Sequence, residues 1–197
     1  DQVNGYILHK QHLAPRSRGG DVLSVVREVG PIRGYPAIVA YISLWSRMVG
    51  FRREHLDSAL YEQRTLARFP CMHAQLYIVP SEDLPAYHQA VNAISQPELD
   101  DLVDGLLTQA TAGVGRSRGC DDDLVQRVLE VLSTRGPCTV SELCELLPAL
   151  NALIPHDAEH PQSGYGRLGT RLIPALCARG LLVRAQPRGS WRSDLYT

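Results

Sequence analysis

The chain has 197 residues, 44% of them hydrophobic, and a formal net charge of −1, a balance that excludes a disordered polyelectrolyte and gives room for one large domain or two small ones. No apolar run approaches the ~20 residues that span a bilayer, and the first residues lack the basic and apolar regions of a signal peptide, so no membrane partner is expected. Five scattered cysteines without a Cys-x-x-Cys pair argue against a disulfide framework or zinc site, which predicts reduced thiols in a cytoplasm, no cofactor and no metal.

In chain order, Val3, Tyr6, Ile7 and Leu13 predict a helix over 3–13, broken by the Pro15–Gly20 stretch. Asp21 is the expected N-cap of a second helix that ends before Gly30-Pro31. A loop, Ile32 to Pro36, leads into a third helix over 37–49. There Tyr41 and Trp45 fall at helical spacing and read as core. A fourth helix is expected over 54–63, then two β-runs at 65–69 and 73–79. A helix capped by Ser81-Glu82-Asp83 follows through Ile94, and 96–108 reads as an acidic connecting helix. Gly, Ser and Arg concentrate in 111–120, the expected linker between a domain at 1–110 and another at 121–197.

The last third carries the clearest pattern. Leu124, Val125, Val128, Leu129, Val131 and Leu132 predict a helix over 122–134, closed by Gly136-Pro137. Thr139-Val140-Ser141-Glu142 reads as a capping box, opening a short helix that buries Leu143, Leu146 and Leu147. A third helix is expected over 168–179, with a kink or late start at Pro174. Then come a strand over 181–184, a turn at 186–189 and a second strand over 190–196. Helices followed by a small ribbon occur in both halves. The fold expected is mainly α with small β-hairpin wings, in tandem winged helix-turn-helix units.

Charge is segregated along this plan. Residues 161–197 hold six arginines against one acid, whereas 80–111 hold six acids and no Lys or Arg. A local basic surface is what phosphate binding requires, so double-stranded DNA is the expected partner. Arg167, Arg171, Arg184, Arg188 and Arg192 are the expected contacts, a third helix in the groove and a basic wing on the backbone. Arginine outnumbers lysine 19 to 1, which points to a GC-rich genome; a bacterial source is expected.

From Gln2 to Ala90 the sequence resembles the winged-helix DNA glycosylases of the AlkZ/YcaQ type, which unhook interstrand cross-links and excise alkylated purines. The matching text is Gln2-Val3-Asn4 through His12-Leu13, then Tyr41-Ile42-Ser43-Leu44-Trp45-Ser46-Arg47, Leu60-Tyr61-Glu62-Gln63-Arg64, and Cys71-Met72 leading into Leu76-Tyr77-Ile78-Val79-Pro80. Leu181 to Arg184 and Trp191 to Tyr196 fit the same family's second winged helix. Family members are longer, so the resemblance implies a member truncated at its C-terminus. It also implies a Gln-x-Gln motif, whose amides position water and sugar, at Arg33-Gly34-Tyr35. Arg33 cannot orient water as an amide does, and it repels a developing oxocarbenium charge. Tyr35 can hydrogen-bond a water or stack on a base, but a phenol is a poor general base. The family's Met-Arg-Gly-Thr-x-His segment stands here as Met72-His73-Ala74-Gln75-Leu76-Tyr77, which makes His73, Gln75 and Tyr77 the expected contacts near the lesion.

The expected activity is therefore repair of alkylated or cross-linked DNA by hydrolysis of an N-glycosidic bond, with a degenerate catalytic motif at Arg33 and Tyr35. If active, the enzyme would be monofunctional, because a Schiff-base lyase needs an amine and Lys10 is the single lysine. The alternatives are a non-catalytic winged-helix DNA binder, acting as regulator or lesion sensor, and a protein-interaction module working through acidic 80–111. Gly164-Tyr165-Gly166-Arg167-Leu168-Gly169 matches Gly-x-Gly-x-x-Gly, but no βαβ unit is expected around it, so it reads as a flexible lead into the helix. His156 to His160 reads as a solvated loop.

Overall fold

The computed structural model describes residues 2–16, 20–71, 75–112, 121–155 and 164–188; at 92–99, 111, 112, 121 and 122 it describes the backbone. The architecture is mainly helical with two small antiparallel sheets. The described residues through Ala93, together with 183–188, form one compact unit, and Ile94–Leu182 form a second.

In the first unit, helix α1 (Gln2–Lys10) has no buried residue. Val3, Tyr6 and Ile7, which share one helix face, are all at least half exposed. The helix stops short of Leu13 because His12 adopts a positive φ of 56°. Helix α2 (Val22–Val29) starts where expected: the Asp21 carboxylate accepts from the Ser24 N–H at 2.6 Å, satisfying one of the orphan donors of the first turn. Gly30 ends it at φ 93°. Helix α3 (Ala37–Arg47) turns Ala37, Ala40, Tyr41 and Leu44 inward at i, i+3, i+4 and i+7. The expected helix over 54–63 is α4 (Arg53–Asp57), continued by a π-helical turn, Ser58–Glu62.

Strand β1 (Ile32–Arg33) was not legible in the sequence. It pairs antiparallel with β3 (Leu76–Pro80), which also pairs with β2 (Leu66–Pro70), giving the order β1-β3-β2. Two residues carry too little periodicity to signal a strand; β1 exists because the central strand β3 has a free edge to satisfy. Val25, Val26, Ile32, Leu44, Leu56, Leu66 and Ile78 lie at the centre of this unit's core. A satellite cluster of Phe69, Cys71 and Val79 packs with Tyr77, Leu84 and Tyr87.

Residues 84–112 form one helix, α5 (Leu84–Ala112), rather than the two expected, and Pro97 lies within it. The second core begins inside α5 and not at 121: Val103, Leu106 and Leu107 are buried with Leu124 and Val128 of α6 (Asp121–Arg135). The division into compact units therefore falls at 93/94, ahead of the 111–120 stretch, of which 113–120 lie outside the described residues. Thr139 and Glu142 form the expected capping box on α7 (Val140–Leu146): Thr139 N–H donates to Glu142 Oε2 at 2.8 Å and Glu142 N–H to Thr139 Oγ1 at 3.2 Å.

Where a loop and glycine-rich lead were expected, β4 (Leu153–Pro155) pairs with β5 (Tyr165–Arg167). The ribbon thus precedes the third helix of this unit, α8 (Leu168–Ala178). That helix starts on time and runs through Pro174, which is exposed. Gly169 is pressed against α7: a Cβ there would stand 3.0 Å from Cys144 Sγ. The expected strand over 181–184 is not formed, since 181–188 carry no regular secondary structure; 190–196 lie outside the described residues.

Candidate functional site

Arg33 ends β1, one of the two outer strands of the three-stranded sheet, and Tyr35 follows two residues later. Arg33 lies opposite Tyr77, and the ladder continues one residue further because Gly34 N–H donates to Leu76 O at 2.7 Å. Gly34 is needed for that approach: a Cβ would meet Leu76 O at 3.3 Å and Tyr77 C at 3.4 Å. The two stretches that the sequence marks as reaction centre, 44 residues apart at Arg33 and Tyr77, are thus neighbours on adjacent strands. Arg33 is exposed, and its Nε donates to the Tyr35 carbonyl at 3.1 Å, folding the guanidinium back over its own loop. Tyr35 is 49% exposed. Tyr77 is half-buried beside Phe69 and Cys71. Gln75 is exposed, and its carbonyl accepts from Cys71 N–H at 2.9 Å. His73 lies outside the described residues.

Three carboxylates of this unit have structural partners. Asp21 caps α2, Glu28 meets His12 Nε2 at 2.7 Å, and Glu62 accepts from Ser58 Oγ at 2.6 Å. The sequence offered no reason to single out Asp57. Its Oδ1 accepts from the buried Tyr41 hydroxyl at 2.5 Å and its Oδ2 faces Arg53 Nε at 2.9 Å. Burial, then the hydrogen bond to Asp57, pushes the Tyr41 phenol well above its ordinary range, so it donates and does not ionise. Burial likewise raises the Cys71 thiol to about 11 and raises that of Cys144, which leaves both protonated and poor as nucleophiles near neutrality.

Trp45 differs from expectation. Tyr41 is core at 5% exposure, but Trp45 is 57% exposed, because the inward stripe passes from Tyr41 to Leu44 and the next residue stands about 100° further round the helix. Arg16 stands over its ring at 5.1 Å. Around it Tyr41, Ile42, Phe51 and Arg53 line an open cavity of about 230 Å³.

The expected arginine set is divided. In the second unit Arg167 is exposed at the N-cap position of α8, with no side-chain capping bond, and Arg171, one turn on, donates Nη1 to the Pro155 carbonyl at 2.8 Å, which ties α8 to the ribbon. Arg179 is committed to Asp100 at 3.0 Å. Arg184, half-buried, and Arg188, exposed, group with the first unit. Arg192 lies outside the described residues, as does the His156–His160 segment. Among the described residues no helix is long and apolar enough to cross a membrane.

A sequence model of the family described as "DNA glycosylase AlkZ-like" matches residues 26–197. Among solved structures, the fold is similar to that of the Streptomyces sahachiroi DNA glycosylase AlkZ, with a TM-score of 0.59 and 19% identity. The match covers 96% of this chain and 47% of that one, so the chain spans about half the length of that protein. No curated protein matches.

Proposed function

The chain belongs to the AlkZ-like DNA glycosylase family, and on that premise we propose that it binds double-stranded DNA and serves repair of alkylated or cross-linked bases by hydrolysis of the N-glycosidic bond. The observation that carries this reading is the register of Arg33 opposite Tyr77. It supports a reaction site in which the positions matched to the family's amide motif lie beside Leu76 and Tyr77 of β3, with Tyr35 exposed. An alkylated purine is an activated leaving group: the C1′–N bond breaks with its electron pair going to the base, which leaves neutral. Water adds to the sugar cation and gives its proton to solvent. In this reading Tyr35 hydrogen-bonds that water or stacks on the base, while His73, Gln75 and Tyr77 contact the strand around the lesion.

We further propose a tandem winged-helix arrangement in which α8 is the recognition helix. Arg167 and Arg171 stand on its first turn, where phosphate is favoured by both charge and helix dipole. Arg184, Arg188 and Arg192 would make phosphate contacts of their own. A second reading, DNA binding without turnover, is favoured by Arg33 itself. Its guanidinium is a permanent cation where the family has an amide, and it is already bonded to Tyr35 O.

The test is incubation with duplex containing 7-methylguanine, followed by alkaline cleavage of abasic sites. Strand breaks above background, increased by Arg33→Gln, support excision with a weakened motif. Salt-sensitive binding with no breaks in either protein leaves only the binder. Charge reversal at Arg167 and Arg188 should weaken duplex binding, with the slope of log K against log[salt] falling by about 0.9 for each phosphate no longer neutralised. Absence of DNA affinity at low salt would remove both readings.

A further inference from the structure

We propose that the cavity beside α3 is a stacking pocket for one unstacked nucleobase, separate from the Arg33–Tyr35 loop; this rests on the DNA-binding reading above. Helix α3 is apolar on two sides. Its inward stripe is core. On its outward side Ile42 and Trp45, at i and i+3, are 55% and 57% exposed, and Val49, just past the helix end, is 55% exposed; nothing in the helix's own packing requires these side chains to be apolar. Three aromatic rings, Tyr41, Trp45 and Phe51, line the cavity with Ile42 and Arg53, and its volume of about 230 Å³ lies below the ~300–1,000 Å³ of pockets for drug-sized ligands. The size class is that of a single flat ring system.

The charges select what that ring system belongs to. Arg53 is held at the wall by Asp57 at 2.9 Å, and Arg16 by the π-face of Trp45 at 5.1 Å. Arg52 is exposed one residue away. An apolar peptide side chain would fill the cavity without using the positive charge that Arg16 and Arg52 place beside it. A nucleotide answers both features, base on the rings and phosphate against the cations, the combination by which single-stranded nucleic acid is held without sequence preference. The rigid floor also fits: Tyr41 cannot turn out of the wall without giving up its bond to Asp57.

Position along the helix gives the pocket its role. Helix α3 leaves the Tyr35 loop at Ala37, and Ile42 follows about 8 Å further along the axis at ~1.5 Å per residue. A strand whose damaged nucleotide meets Tyr35 would place a base roughly two or three stacked steps away, at ~3.4 Å each, at the pocket. Seating it there would hold the strand open next to the reaction site.

Trp45 makes the proposal measurable. The chain has two tryptophans, so Trp191→Phe leaves Trp45 as the sole indole reporter. This variant is titrated with a fluorescent single-stranded 12-mer and with duplex carrying a three-nucleotide unpaired bulge, following label anisotropy and Trp45 emission together. The expected result is saturable quenching of Trp45 that tracks binding. Trp45→Ala should weaken binding of both probes by roughly 5- to 150-fold, the range for losing one stacked base, and Trp45→Phe should lose much less. Binding by anisotropy with Trp45 emission unchanged, and Trp45→Ala as tight as wild type, overturns the pocket and leaves the DNA reading intact. No binding of either probe or of intact duplex overturns both. Light scattering on the same proteins completes the test: a dimer abolished by Trp45→Ala would make the occupant a second copy and also overturn the proposal.

Discussion

Gly34→Ala is the substitution that most directly tests whether the sheet sets the geometry of the candidate reaction loop. A Cβ at this position meets Leu76 O at 3.3 Å, Tyr77 C at 3.4 Å and Ile78 Cγ1 at 3.5 Å. The first two are main-chain atoms of β3. That strand is paired with β2 through five residues and cannot retreat without loosening those bonds. Overpacking of this kind costs about 1–3 kcal/mol. Replacing glycine returns about 0.4–1 kcal/mol through the unfolded chain, so the net loss should be on the order of 1–2 kcal/mol. For a chain of this length each kcal/mol lowers Tm by about 2–4 °C, which predicts a drop of roughly 2–8 °C. Gly5→Ala is the internal control: nothing lies within 4 Å of a Cβ on that helical glycine, so α1 should gain up to about 1 kcal/mol of helix propensity. Far-UV circular dichroism melts give the stabilities, and amide exchange at Gly34 and Ile78 reports the β1–β3 ladder. If Gly34→Ala melts at or above wild type with undiminished protection on β3, the close approach does not constrain the loop.

The other expected outcomes are local. Asp21→Ala should cost about 1 kcal/mol near neutral pH through loss of the α2 cap. Backbone and side-chain bonding to Ser24 lower the folded-state pKa of Asp21; its contribution is therefore full above the unfolded value of ~3.9 and vanishes as pH falls through the lower folded value, so wild-type and variant stabilities should converge in acid urea titrations. Tyr41→Phe removes the donor to Asp57 but leaves Arg53 on the other oxygen, and equilibrium unfolding should show a loss of about 1.5 kcal/mol, the low end for a bond to a charged group. Thr139→Ala should cost about 1 kcal/mol by breaking the α7 capping box, measurable in the same way. Gly169→Ala should destabilise the second core by about 1–3 kcal/mol, because its Cβ would stand 3.0 Å from Cys144 Sγ in a buried site. An increase in Tm for that variant would contradict the packing described for α7 and α8.

What the sequence determined by itself is local or family-wide. Caps and stops such as Asp21, Gly30 and the Thr139–Glu142 box depend on residues within one turn, so their chemistry is readable in order. The mainly helical class follows from periodicity, and the order of motifs pointed to the glycosylase family. Tertiary structure decided what depends on partners distant in the chain. Strand β1 exists because β3 offers an edge, and it is this pairing that sets Arg33 beside Tyr77. The β4–β5 ribbon, ahead of α8, forms from segments too short to show alternation. Trp45 and Leu44 are one residue apart and both apolar, yet only Leu44 meets the core; a hydrophobic side chain announces its preference for burial, and the three-dimensional packing determines whether any neighbour is there to bury it.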